Sequence, residues 1–358
     1  MDIGLLCRYA LQQRASDIHL KVGAPPLLRI HGSLRAVPDS PPLTNEELGR
    51  AVWDMMSPVQ RERFKTTSDC DFAHTVAGAG RFRANVFRQQ GRIGVVLRAI
   101  PTQVLSLDEL SAPPVLKKVA MEPRGLVLVT GATGSGKSTT IAGILEEINR
   151  TLPHHILTIE DPVEFIFQDR RCLVNQREVG VDSATFHQAL RAALRQDPDV
   201  IMVGELRDLE TVEIALAAAE TGHLVLATLH TIDAHEAINR ILGFFEPHHQ
   251  PHVRLALGSV LRAVISQRLI PGRSGGRVAA MEIMLNTSAV YECLVNPDRT
   301  REVRDLIRGG RVQYGMQTFD QAIYDLIEQG RVSPEDGMRA AHNPDELALR
   351  LAGISDED

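Results

Sequence analysis

Cysteine is scarce in this chain. There are four in 358 residues, Cys7, Cys70, Cys172 and Cys293, and no two form a C-x-x-C pair. That spacing excludes a zinc ribbon and predicts scattered buried thiols in a reducing compartment. Excess positive charge is lacking too. Lysine and arginine number 39 against 45 acids, a net charge of −6. The chain as a whole is therefore not a generic nucleic-acid binder, and no direct nucleic-acid partner is expected. Long apolar runs are missing. The nearest approach, residues 214–229, is too short for a span and is interrupted by Glu220, Thr221, Gly222 and His223. Met1-Asp2-Ile3-Gly4 lacks the basic start and apolar stretch of a signal peptide. These absences predict a cytoplasmic protein, free to dock on a membrane complex. No internal repeat or low-complexity tract is visible. What remains is ordinary globular material, 44% hydrophobic and 23% charged, enough for two domains and two cores.

Against that plain background one stretch stands out: Gly131-Ala132-Thr133-Gly134-Ser135-Gly136-Lys137-Ser138. It fits the phosphate-binding pattern G-x-x-x-x-G-K-[ST]. An apolar run, residues 126–130, precedes it and reads as a buried strand. A helical stretch from Thr139 onward follows it. The glycines let backbone N–H groups turn around an anion, and the helix start adds its own unpaired N–H groups. Lys137 would reach the β- and γ-phosphates, and the Ser138 hydroxyl would ligate Mg²⁺. Thr139 completes the predicted nucleotide-binding set, so ATP and Mg²⁺ are the expected ligands.

The surrounding pattern changes once along the chain. Residues 1–100 predict an α+β domain. A helix is expected over 2–14, short strands over 18–22 and 27–31, a helix over 44–64 capped by Thr44 with Glu47 three residues on, and a hairpin over 82–88 and 93–100. Residues 101–122, with Pro113-Pro114, predict a linker with little structure. From residue 123 to about 290 short apolar runs alternate with helical stretches, at 126–130, 156–159, 200–203 and 224–228. That is the grammar of a parallel sheet covered on both faces. Helical spacing is read for Phe186, Ala189, Leu190, Ala193 and Leu194, and again for Val253, Leu257, Val260, Leu261 and Val264. Residues 291–358 predict helices and a frayed polar tail.

Nucleotide hydrolysis needs acids, a group that orients the nucleophile and positive charge, beyond the phosphate cradle. Three acids, Glu160, Asp161 and Glu164, crowd the end of the run at 156–159. In parallel α/β sheets that end is where ligands bind. The run at 200–203 leads through Gly204 to Glu205, as in a Walker B element, making Glu205 a magnesium-side carboxylate with Ser138. His223 and His230 bracket the run at 224–228, where either could sense the γ-phosphate or bond an active-site acid. Arg81, Arg83 and Arg98 sit in the predicted hairpin, and could supply positive charge as an arginine finger does.

In this order the boxes resemble the secretion ATPase superfamily, and within it the PilT/PilU branch of type IV pilus ATPases. Ala15-Ser16-Asp17-Ile18-His19-Leu20, Cys172-Leu173-Val174-Asn175-Gln176-Arg177-Glu178-Val179 and Gly315-Met316-Gln317-Thr318-Phe319-Asp320 match that branch as well. The resemblance implies an α/β chain with a PAS-like N-terminal domain, a RecA-like P-loop ATPase domain and C-terminal helices. It implies a homohexameric ring with ATP bound where subunits meet, and arginines of the N-terminal domain, here Arg83 and Arg98, on the nucleotide. Glu164 matches the general base, with Glu160 as second candidate. His223 and His230 match the histidine box. The implied task is type IV pilus retraction at the cytoplasmic face of the inner membrane. The implied partners are a membrane platform protein and a paralogous motor. Two departures bear on this. The extra domain and tetracysteine motif of assembly and secretion ATPases are missing, which favours retraction. The A-I-R-N-L-I-R-E motif of retraction motors falls at residues 289–296, where both its arginines are gone; Arg304-Asp305-Leu306-Ile307-Arg308 is similar but lies later. An accessory PilU-like ring, or an assembly, secretion or DNA-uptake motor, is therefore the alternative.

Overall fold

The apolar runs and the hairpin pattern build two separate sheets. The computed structural model describes residues 1–30, 32–100 and 104–354. Expectations that fall on His31, on 101–103 and on the tail 355–358 lie outside the described residues. The chain divides into two units, Met1–Gln103 with Pro162–Ile166, and Val104–Asp161 with Phe167–Asp358.

The first unit is an antiparallel sheet of six strands: β1 (Asp17–Lys21), β2 (Leu27–Ile30), β3 (Ser33–Ala36), β4 (Asp69–Val76), β5 (Gly80–Gln89) and β6 (Arg92–Ile100), in the order β3-β2-β1-β6-β5-β4. Alternation places Phe82, Ala84 and Val86 of β5 in the core with Leu48, Val52 and Phe64 from helices. The β5–β6 turn is Gln90-Gly91, both at positive φ (50° and 73°), as a two-residue hairpin turn demands. The helix expected over 44–64 is two helices, Asn45–Met55 and Pro58–Thr67. Thr44 forms the expected capping box with Glu47, and Ser57 forms a second one with Gln60. Pro58 explains the break: it lacks an N–H to bond back along the helix, so it starts the next one instead.

The second unit holds seven strands: β7 (Gly125–Thr130), β8 (His155–Glu160), β9 (Leu173–Glu178), β10 (Val200–Val203), β11 (Leu224–Leu229), β12 (Leu261–Pro271) and β13 (Arg277–Leu285). Their order is β13-β12-β7-β11-β10-β8-β9, all parallel except the β12–β13 hairpin. Every residue of β7, β10 and β11 is buried, which is why these runs carry no polar alternation. Two expectations change here. Val253, Leu257 and Val260 share a helix face, but that helix (Gln250–Val260) stops there, and Leu261 and Val264 begin β12. The stretch expected as an unstructured linker is ordered from Val104: Leu107, Leu116, Val119 and Ala120 are buried in the core of this unit, the last three on the helix Val115–Ala120. Pro114 stands at the start of that helix, and the apolar residues supply the buried surface that holds the segment. Among the described residues no helix is long and apolar enough to cross a membrane.

Candidate active site

The parallel strands bring their C-terminal ends to one edge of the second sheet. β7 lies between β11 and β12, with Thr130 in register with Leu229 on one side and Ser266 on the other. The glycine loop leaves β7 at this point. Gly131, Gly134 and Gly136 have φ of 145°, 78° and 91°, conformations that side-chain-bearing residues rarely adopt. A Cβ on Gly131 would lie 2.5 Å from the Gln267 carbonyl oxygen, and one on Gly136 would lie 2.6 Å from Gln267 Nε2. The buried Lys137 opens the helix Lys137–Thr151 and donates from Nζ to the carbonyls of Gly131 (2.7 Å) and Ala132 (3.1 Å). Ala132, Thr133 and Gly134 are exposed at the loop's tip, while Ser138 and Thr139 are half-buried in the first helical turn.

Three side chains from neighbouring strand ends share this edge. Glu160 closes β8, is buried, and accepts from Thr158 Oγ1 (2.7 Å) and Gln176 Nε2 (3.3 Å). Glu205 follows β10 by one glycine. Its Oε1 lies 3.2 Å from His230 Nε2, and its Oε2 accepts from Arg207 Nε at 2.8 Å. His230 follows β11 directly. Thr228 Oγ1 donates to the Gly204 carbonyl and so ties the Glu205 loop to β11. Two buried hydroxyls of this edge, Ser135 Oγ and Thr231 Oγ1, have no hydrogen-bond partner among the described residues. An anion cradle lined by glycine backbone, a lysine and unspent hydroxyls suits a phosphate chain, and the Ser138 hydroxyl with the Glu205 carboxylate offers the oxygen donors that Mg²⁺ takes.

The structure does not bring His223 to this edge. It precedes β11 rather than following it; its Nδ1 sits 2.9 Å from the Ala218 carbonyl, and its own carbonyl accepts from Gly125 N, where β7 begins. Seven residue steps along the strand separate it from His230, about 23 Å at roughly 3.3 Å each. The remaining expected residues lie in the first unit. Glu164 is exposed in its Pro162–Ile166 segment. Arg83 and Arg98 are cross-strand partners on β5 and β6, and Arg98 also pairs with Asp17 of β1. The sequence does not single out Gln267, and it offers Arg207 only as part of the charged run after Glu205. The polar pair Ser266-Gln267 inside an otherwise apolar run was the available signal for the first. The four cysteines are free and buried, and burial pushes Cys7 up to about 12, leaving it inert.

A glycine loop at the end of a central parallel strand, with acids and a histidine on flanking strand ends, defines a RecA-like P-loop ATPase domain. The chain belongs to the type II/IV secretion system protein family, whose model matches residues 3–339. It is 46% identical over 345 residues to the type IV pilus retraction ATPase PilT of Pseudomonas aeruginosa, covering 96% of this chain and 99% of that one. It is 41% identical to the type IV pilus ATPase PilU of the same organism, covering 100% of this chain and 94% of the relative. The crystal structure of the pilus retraction motor PilT with bound ADP superposes with a TM-score of 0.91 at 44% identity, covering 97% of this chain and 99% of that one. The Legionella pneumophila ATPase DotB superposes at 0.80 and 30% identity, covering 97% and 94%.

Proposed function

We propose that this chain forms a homohexameric ring that hydrolyses ATP to draw pilin subunits out of a type IV pilus, powering retraction and twitching motility. One observation carries the reading: the P-loop, Glu160, Glu205 and His230 meet at one sheet edge in a chain similar to PilT from end to end. Lys137 would exchange the Gly131 and Ala132 carbonyls for β- and γ-phosphate oxygens. Ser138 and Glu205 would hold Mg²⁺, which neutralises phosphate charge. Glu164 would take the proton of the attacking water, with Glu160 as the alternative base. Arg83 and Arg98 would reach the nucleotide of a neighbouring protomer, adding the positive charge that phosphoryl transfer requires. Binding that engages both subunits draws them together, and hydrolysis removes the differential contact. The ring would work at the cytoplasmic face of the inner membrane through a platform protein.

The second reading, an accessory PilU-like ring, is favoured by the missing arginines at 289–296, a stretch that overlaps the helix Ser288–Val295; the identity to PilU, 41%, is below the 46% to PilT. Phosphate release by the purified protein tests the ATPase reading: Lys137→Ala should abolish it, and full turnover by that variant would overturn the assignment. A deletion strain then separates the tasks. Excess surface pili support retraction, bald cells indicate assembly, and unchanged piliation points to the accessory role.

A further inference from the structure

Gln267 makes a set of contacts that its place in the sequence does not announce. It lies on β12, next to Ser266, whose partner across the sheet is Thr130 at the root of the P-loop. Only 3% of it is exposed. Its Nε2 donates to the Ser135 carbonyl at 2.8 Å, and its Oε1 accepts from Thr140 Oγ1 at 2.6 Å. The amide orientation follows from chemistry: a carbonyl can only accept, so the NH₂ end must face Ser135 and the oxygen must face Thr140. The same residue leaves no room for a Cβ at two loop glycines: one on Gly131 would lie 2.5 Å from its backbone carbonyl oxygen, and one on Gly136 would lie 2.6 Å from its Nε2.

The Ser135 carbonyl and the Gly136 N–H belong to one planar trans peptide, so they point in opposite directions. Anchoring that carbonyl on β12 turns the Gly136 N–H away from β12. Inward-turned N–H groups are what a phosphate loop binds with. The bond to Thr140 fastens the same amide to the first turn of the helix that carries Lys137 and Ser138. We propose that Gln267 is a positioning residue for nucleotide binding: one buried carboxamide sets the direction of a P-loop backbone donor and locks it to the helix bearing the phosphate-binding lysine. This rests on the P-loop being the nucleotide site.

The test uses full-length protein, titrated with a fluorescent ADP analogue and followed by thermal unfolding. Gln267→Met keeps the volume and removes both hydrogen bonds. Gln267→Glu keeps the acceptor for Thr140 and loses the donor to Ser135. Both should weaken ADP binding by about tenfold to a hundredfold, the size expected when buried polar partners are stranded. Thr140→Val, which cuts only the helix tie, should weaken it less. Combined with Gln267→Met it should add nothing further. A purely structural role lowers the unfolding temperature and leaves the dissociation constant of the folded protein alone. Affinity within twofold of the parent in the folded variants, or additive losses in the double variant, overturns the proposal; if Gln267→Met does not fold, Gln267→Glu and Thr140→Val decide it. Lys137→Ala separates the two layers. If it binds ADP as tightly as the parent, the P-loop reading itself falls. If it loses binding while the Gln267 variants do not, only the positioning role falls.

Discussion

Arg98 donates its Nε–H to Asp17 Oδ1 at 2.8 Å, although 81 positions separate the two residues. Strand pairing makes this possible, because β1 and β6 set them directly opposite each other. Asp17 is almost wholly buried, while the Arg98 side chain is 69% exposed. A buried acid thus grips an outward-reaching guanidinium. Burial alone would raise the Asp17 pKa, but hydrogen bonds from Arg98 and Ser16 and the Arg98 charge together hold it below the ordinary 3.8. The folded value lies under the unfolded one, so this stabilisation is complete above about pH 3.8 and is lost as pH falls through the folded value. Asp17→Ala should cost about 1–3 kcal/mol at pH 7, with a gap to the parent that narrows below pH 4. A gap of constant size in thermal unfolding across that range would count against the charge-based account.

Glu282 has the opposite sign. It is buried on β13, and its Oε1 accepts from Ala234 N at 3.0 Å. Burial pushes its pKa from 4.5 up to about 7, against the pull of that hydrogen bond. The neutral carboxyl suits the fold, so its stabilising effect is complete below about pH 4.5 and drains away as pH rises through 7. Glu282→Gln keeps the acceptor and cannot ionise. It should gain on the parent between pH 5 and 8, by up to about 3 kcal/mol. Parallel stability curves for the two proteins over that range would contradict this.

The two histidines of the β11 region should part company. His230 touches Glu205 at the P-loop edge, whereas His223 bonds locally at the far end of the strand. His230→Ala should lower kcat for phosphate release by about tenfold or more, in the range of positioned polar groups, and His223→Ala by much less. Equal losses would mean that His223 reaches a nucleotide by a route outside its own chain's P-loop edge.

The loop glycines should also differ among themselves. Alanine at Gly131 meets both an unfavourable φ and a backbone oxygen at 2.5 Å, while alanine at Gly134 meets the φ alone, with nothing beyond its chain neighbours within 4 Å among the described residues. Left-handed strain costs about 1 kcal/mol, and a backbone clash adds to it. Gly131→Ala should therefore lower the unfolding temperature by several degrees more than Gly134→Ala. Equal unfolding temperatures would show that the loop relaxes freely around Gln267.

Much of the second unit was legible because strands buried on both faces leave a strong signal. The runs that became β7, β8, β10 and β11 are almost purely apolar, and no polar face competes with that reading. The first unit was less legible at its margins. All four residues of β3 are exposed, so the strand has no apolar pattern to read; the backbone bonds of β2 hold it instead. The helical spacing across Val260 and Leu261 misled for a related reason: an apolar helix end and an apolar strand start are indistinguishable by composition, and the cover of β7 and β13 decided where one became the other.

The sequence alone determined the phosphate loop, because its chemistry is carried by eight adjacent residues whose glycines dictate the local backbone. It also determined that a sheet edge would bear acids and a histidine. Only the tertiary structure decided which strand ends share that edge, since strand direction comes from pairing partners far along the chain. His223 and His230 flank one strand, and only the end that carries His230 meets the P-loop and Glu205, while Gln267, 132 positions from Ser135, ends up hydrogen-bonded to it.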